Sequence, residues 1–455
     1  MMLRSKGLLS GSITAILLRT SWPNIIGFLA LMGTALVDTY FVSLISTQAL
    51  LALSFSIPVW LVISAFGKGL GNALSAHYGV HLGKAEYAHA RRLFANTIQL
   101  TLVVALALAG LGWLLLTPTF TLLGASSDVM PLIAQYMSIW YAAIPLLLLM
   151  VVGNKALRCH GDALSPAKIM LWASFTNFIL DPILIFGWGP IVAMGIEGAA
   201  LATAISWLVG LGLSMLAWKQ HIGWRLTRLW HWRNDAPIRE ALKPMLINVR
   251  KIMAIATPAT LNSLLHPIAN SLIIAILARL DEAAVAAFGA AMRIETFLLI
   301  IVNGLATALA PFIAANLGSG QHSRAYKGLK ISLLATFFIQ TLMALPLILF
   351  SGNIAGLFSN HANVLTWLDF YLSYVPLAYG FLGVVIVTGQ SLNAYRKPVA
   401  SLGLNLIRVA VLMLPLVIIG QHYYQVAGAF IALPVANMMA AMIALIMVYQ
   451  LRHYR

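Results

Sequence analysis

Charged side chains are scarce in this chain. Only 9% of its 455 residues are Asp, Glu, Lys or Arg, against about 25% in an ordinary soluble domain. A single cysteine, Cys159, excludes an internal disulfide and any Cys-based metal cluster. No Gly-rich loop ending in Lys-Ser/Thr occurs, so ATP is not expected to drive the protein through its own chain. No nucleophile–base set or metal-ligand set converges at one depth, which argues against an enzyme. His77 and His81 are four residues apart but lack a third ligand, so neither a metal nor a cofactor is expected.

What fills the chain is apolar. Hydrophobic residues make up 61% of it, and the mean hydropathy is +0.91. Continuous apolar runs of bilayer length exclude a barrel, whose strands are short and alternate. The first run is too long for a removable signal peptide and lacks a cleavage site. The expected class is an all-α polytopic membrane protein. A net charge of +16 would point a soluble chain towards nucleic acid. Here the basic residues fall mostly between spans, so the bilayer is the expected partner and nucleic acid is not.

Twelve spans are predicted, at 13–44, 50–72, 94–116, 130–153, 166–188, 195–218, 252–278, 284–310, 330–350, 364–389, 398–419 and 426–449. Lys84, Arg91 and Arg92 follow the second span, with Lys68 read as its end; Lys155, Arg158 and Lys168 follow the fourth. The longest connector, 219–250, is strongly basic and carries Trp224, Trp230 and Trp232. It reads equally as a solvated linker and as an amphipathic helix on anionic headgroups. Every basic cluster lies on one side, and Arg279 stands alone on the other. That asymmetry predicts two cytoplasmic termini in a bacterial inner membrane.

A shift of 235 residues aligns the two halves: Pro23 with Pro258, Gly69-Leu70 with Gly304-Leu305, Leu82-Gly83 with Leu317-Gly318, and Tyr136 with Tyr371. With small gaps, Pro166 meets Pro398 and Gly198 meets Gly428. Two six-helix bundles are therefore expected, at 1–218 and 251–455. An even number of spans per half makes the repeat parallel, with a cavity between the bundles and alternating access as the mode of passage.

Within that frame the first run, Ile13 to Ser46, carries the strongest functional signal. Asn24, Gly27, Leu31, Thr34 and Asp38 form one stripe, and Pro23 lies near its start. An acid in a span is costly and marks function by default. Asp181 and Asn177 share a face of the fifth span, and Thr203 lies in the sixth. At ~1.5 Å per residue, Asp38, Asp181 and Thr203 sit at similar depth in the outer half. Two such carboxyls cannot both ionise cheaply, so a shared proton or a small cation is expected there. Glu295 and Arg293, two residues apart, read as an ion pair in the eighth span. Asn262, His266 and Asn270 line one face of the seventh, which has no acid; Ile273 stands where Asp38 would. Glu197 and Asp369 read as interfacial.

The stretches TSWP (Thr20–Pro23) with Asp38, LRCHGDALSP (Leu157–Pro166), MGIEGAALAT (Met194–Thr203) and LNAYRKP (Leu392–Pro398) resemble the multidrug and toxic compound extrusion family across essentially the whole chain. The pattern is closest to its DNA-damage-inducible branch. The resemblance implies a V-shaped pair of lobes, a monomer, and export of organic cations against inward H⁺ or Na⁺. It implies coupling at Asp38, Asn177, Asp181 and Thr203, bending of the first helix at Pro23, and a basic residue at Arg158. Candidate substrate-path residues are Asn24, Thr34, Arg158, Asn262, His266, Arg293 and Glu295. One departure is Thr34 and Leu31 where some relatives carry Tyr or Gln. Proton-coupled antiport is the expectation; Na⁺ coupling and a lipid-linked precursor flippase are the alternatives, the latter disfavoured by few intramembrane Lys or Arg.

Overall fold

The computed structural model describes residues 6–223, 238–359 and 361–453. Trp224, Trp230 and Trp232, and with them the two readings of the basic connector, lie outside the described residues. Among the described residues the long elements are all helical: α1 (Ile13–Ser43), α2 (Thr47–Gly83), α3 (Tyr87–Leu114), α4 (Met130–Cys159), α5 (Leu164–Phe186), α6 (Ile196–His221), α7 (Ile238–Ala278), α8 (Glu282–Gly318) and α9 (His322–Leu349). Then come α10 (Ala362–Ala394), interrupted by a 3₁₀ turn at Val375–Ala378, and a continuous apolar stretch Pro398–Gln450.

That last stretch is two spans. Tyr424 and Gln425 leave helical geometry inside it, Gln425 at φ 49° and ψ −129°. Gly195, just before α6, has φ 56° and ψ −131°, the same turn in the other half. The stretch therefore divides into α11 (398–423) and α12 (426–450). The break is tight: a Cβ on Gly428 would lie 2.0 Å from the carbonyl oxygen of Gly420, and one on Gly198 2.4 Å from that of Leu184. Only glycine lets these backbones meet.

Start signals repeat as well. Ser46 caps α2 by accepting from the Ala49 N–H at 3.0 Å. Its counterpart 235 residues on, Asp281, caps α8 by accepting from Ala283 at 2.8 Å. Ala85 and Gly320, again 235 apart, both adopt positive φ in the loops that follow. The internal repeat is thus present in backbone conformation and not only in residue identity.

Two expectations change. The second and fourth spans were drawn to end at 72 and 153, but α2 runs to Gly83 and α4 to Cys159. Hydropathy falls where polar side chains begin, but the helices do not stop there. Lys155 and Arg158 are consequently residues of a helix, not of a loop, and Lys68, read as the end of its span, lies well inside α2. Pro23 sits inside an uninterrupted α1. Thr20 Oγ donates to the Ile16 carbonyl at 2.8 Å, and Asn24 Nδ2 donates to that of Thr20 at 2.9 Å, so side chains clothe the turn the proline loosens.

The chain forms two compact units: residues 1–8 with 26–260, and residues 9–25 with 261–455. These differ from a division at the connector in two pieces, 9–25 and 251–260. Of the three exchange points, those after residues 25 and 260 fall two residues after a repeat proline, Pro23 or Pro258; the third follows Leu8. In the first unit Trp218 packs against Phe94 with ring centroids 5.5 Å apart, over Gly153, where a Cβ would sit 2.0 Å from the indole. In the second, Phe288, Tyr371 and Phe430 form the aromatic centre, the last two with centroids 5.2 Å apart.

Candidate functional site

In the first unit, α5 and α6 deliver the polar group the spacing predicts. Asn177 and Asp181 are fully buried, one turn apart on α5. Asn177 Nδ2 donates to Asp181 Oδ1 at 3.3 Å and to Thr203 Oγ1 on α6 at 3.5 Å. Thr203 in turn donates to the Ala199 carbonyl at 3.1 Å, so its hydroxyl proton is spent on its own helix. Asp38, from α1, comes beside Asp181 and Asn177, close enough for their side chains to act on its carboxyl. The four residues do converge.

The group is rich in acceptors and poor in donors. Asp38 Oδ1, Asp181 Oδ2 and Asn177 Oδ1 are buried oxygens with no hydrogen-bond partner. A buried oxygen left without a donor costs free energy, and three together make a site that gains from a proton or a small cation. Tyr136 on α4 is buried close to both carboxyls. Sequence reasoning missed this phenol as a site residue. Its signal was the repeat: Tyr136 aligns with Tyr371, which also touches a buried acid.

That acid is Glu295. Tyr371 donates its hydroxyl to Glu295 Oε2 at 3.3 Å, both side chains being buried. Tyr379 and Arg408 complete its surroundings, and Arg408 Nη1 donates to Asn437 Oδ1 at 3.2 Å. The expected Arg293–Glu295 pair is not made. Arg293 is exposed while Glu295 is buried, because two residues on a helix are about 200° apart and face opposite ways. Arg408 lies in a π-helical segment, Ile407–Met413, a geometry common at functional positions.

The other expected substrate-path residues are scattered. Asn24 is buried and bonds within its own helix and, at 3.5 Å, to the Gly304 carbonyl. Thr34 donates to the Ala30 carbonyl at 3.0 Å. Asn262 donates to Ser401 at 3.4 Å. His266 and Asn270 bond one another at 3.4 Å. His81 is engaged by Glu86 at 2.6 Å, and His77 by the Lys251 carbonyl at 3.3 Å.

Arg158 is buried at the end of α4, its Nη2 3.9 Å from Met170 Sδ. Beyond it, His160 bonds Tyr78 at 2.8 Å. Burial, and then nearby His221, push the His160 imidazole down to about 4, with Asp162 pulling the other way. An unfolded chain takes up a proton near pH 6.5 that folded His160 refuses until about pH 4. Stability therefore falls as pH drops through that window, by up to roughly 3 kcal/mol from this group. Thermal melting of purified protein from pH 7 to pH 4 checks this: the H160Q variant should show the smaller acid-induced decrease.

Comparison with known proteins places this architecture. The MatE family model matches residues 23–183 and 258–419, one match in each repeat. An FAD transporter of Shewanella oneidensis is 44% identical over 95% of this chain and 94% of its own length. The multidrug export protein MepA of Staphylococcus haemolyticus is 24% identical over 97% and 94%. Among solved structures, the Vibrio cholerae MATE transporter VcmN in the bent form matches with TM-score 0.89 and 28% identity, covering 97% of each chain. Twelve helices in a duplicated order, and a family match in both halves covering most of the chain, identify it as a multi-pass membrane transporter of the MATE family.

Proposed function

We propose that this transporter exports small organic molecules in exchange for protons, with Asp38 and Asp181 as the carboxyls that load and release the proton. The observation that carries the reading is the buried acceptor cluster: Asp38, Asp181 and Asn177 with three unpartnered oxygens. A proton bound between the two carboxyls satisfies oxygens that otherwise face one another. Asn177 and Thr203 hold the pair in register. When the proton leaves, like charge and unpaired lone pairs raise the free energy of this arrangement. That difference biases the helix that brings Asp38 in, and Pro23 on that helix is where a missing backbone hydrogen bond makes bending cheapest. Both termini are proposed to lie in the cytoplasm of a bacterial inner membrane, following the one-sided Lys and Arg distribution.

Two cargo readings accompany it. Organic cations suit the aromatic and methionine side chains, and more distant relatives are named multidrug export proteins. A flavin dinucleotide is favoured by the 44% identity to an FAD transporter over nearly the full length of both chains.

The test is transport by the purified protein in liposomes. A pH gradient with the liposome lumen acidic, so that protons leave as cargo enters, should drive uptake of a fluorescent cation or of FAD. A Na⁺ gradient at equal pH should not. Transport driven by Na⁺ alone would move the same oxygens to cation binding and overturn proton coupling.

A further inference from the structure

Proton exchange leaves the polar face of α7 unexplained. Asn262, His266 and Asn270 follow at four-residue steps, so they share one side of the helix. The same side carries Ala269, Ile273 and Leu277, within roughly 60° of His266, and these three are buried in the apolar core of the second unit. Asn262 and Asn270 nevertheless stay half-buried, and His266 is exposed. The exposed apolar residues Leu261, Ile268 and Leu272 lie roughly 120–160° round the helix from His266. They form a side that lipid can cover. The protein-facing side of α7 thus opens in mid-span at three polar residues. Amides and imidazoles turned to hydrocarbon are costly, so polar groups within spans face the bundle interior or water.

Two more helices bring polar groups to the same place. Asn262 Nδ2 donates to Ser401 Oγ on α11 at 3.4 Å, and Ser401 Oγ donates to the Gly389 carbonyl on α10 at 2.8 Å. One turn further along α11, Asn405 Nδ2 donates to the Ser401 carbonyl at 3.4 Å. A Cβ on Gly389 would lie 3.5 Å from that same nitrogen. Asn262 Oδ1 is a buried acceptor with no hydrogen-bond partner, and Asn270 Nδ2 meets His266 Nε2 at 3.4 Å. The repeat supplies an internal control. At the 235-residue shift, Asn262, His266 and Asn270 correspond to Gly27, Leu31 and Ala35. In the register that joins Pro166 to Pro398, Ser401 and Asn405 correspond to Ile169 and Ala173. The duplicated packing accommodates small or apolar side chains at all five places and does not require the polar set.

We propose that Asn262, His266, Asn270 and Asn405 form a subsite that reads the hydrogen-bonding edge of a planar heterocycle in the cargo. The proposal deepens the organic-exporter reading and rests on it. A carboxamide offers a donor and an acceptor side by side. The amidine edge of an adenine and the imide edge of a flavin present the complementary pair. A cation without N–H or C=O groups gains nothing from such partners. Ser401 holds both Asn262 and Asn405, so their amides are fixed before cargo arrives. The carboxyls that handle the proton come from the first repeat, and the amides that read the cargo come from the second.

The test is equilibrium binding to full-length protein in nanodiscs without any gradient, read by displacement of FAD. Each heterocycle is offered with its edge open or blocked by methyl groups: riboflavin against 3-methylriboflavin, and ADP against N6,N6-dimethyl-ADP. In at least one pair the open form should displace FAD about tenfold more effectively than the blocked form. A difference in the flavin pair assigns the edge to the isoalloxazine, and one in the adenine pair to the adenine. The N262L/N405L variant should lose that preference, while the blocked form binds it as it binds the unmodified protein. If blocking changes neither pair, the proposal is overturned without reference to any variant. A preference that survives in N262L/N405L overturns it as well. Failure of FAD to bind at all removes the proposal and the dinucleotide cargo together, and leaves export of organic cations standing. Binding needs no driving ion, so edge-sensitive binding alongside transport indifferent to pH would unseat proton coupling alone.

Discussion

Asp38→Asn should reduce pH-gradient-driven export by at least tenfold while the protein still folds and inserts. Asparagine keeps the size of aspartate and still offers an amide to Asn177 and Asp181, the side chains Asp38 lies beside. It cannot take up or release a proton, so the change removes the chemistry and spares the packing. Asp181→Asn should produce a loss of similar size, because the two carboxyls act as one device. For the same reason the double variant should be little worse than either single one; residues in one network are not additive. Thr203→Val should cost less, a few-fold, since Thr203 acts on the pair only through Asn177. Tyr136→Phe discriminates further. If its hydroxyl serves the buried carboxyls it sits beside, the pH profile of transport should move while the maximal rate changes little. The check is initial-rate transport in liposomes across a series of external pH values. Equal loss in all four single variants would indicate a general structural defect instead of a titrating pair.

The second large effect is expected in stability. Replacing Arg408 by Met should destabilise the second unit by about 1–3 kcal/mol, since buried Asn437 loses its donor and Glu295 loses the cation that acts on it. Glu295 is buried, hydrogen-bonded to Tyr371 and acted on by Arg408 as its cation. Without Arg408, Glu295 keeps neutral hydroxyl donors only. Glu295→Gln added to Arg408→Met should recover most of the loss, since an amide needs no counter-charge. Thermal melting in detergent of the wild type, both single variants and the double variant forms the cycle that isolates this coupling. Additive losses would show that the two residues do not act on each other.

The buried polar cluster proposed for coupling was legible as a cluster because its determinants are periodic. Asn177 and Asp181 are four residues apart, and counting depth from the span ends brought Asp38 and Thr203 to the same level. The same arithmetic, applied loosely, suggested a pair between Arg293 and Glu295, where a two-residue step turns the side chains away from each other. The boundary between α11 and α12 was readable for a physical reason: Gln425 must take the turn that Gly195 takes, and apolarity dips there. The helical continuation past the predicted span ends was not readable. Lys68, Lys155 and Arg158 lower local hydropathy and mimic the start of a loop, while the backbone stays helical through α2 and α4. Counting Lys155 and Arg158 as loop charges also understated the intramembrane basic residues on which the case against a lipid-linked precursor flippase rests. The partners of Glu295 were hidden too. Tyr371, Tyr379 and Arg408 come from distant positions in the chain, and only packing brings them together.

Proton release on cargo binding tests the exchange most directly. Protein in weakly buffered detergent, mixed with FAD or a cationic dye at a pH where the cluster holds a proton, should acidify the solution by about one proton per transporter. The D38N/D181N variant should bind without acidification. Cargo binding by the unmodified protein with no proton released, across the pH range in which it transports, would contradict the account.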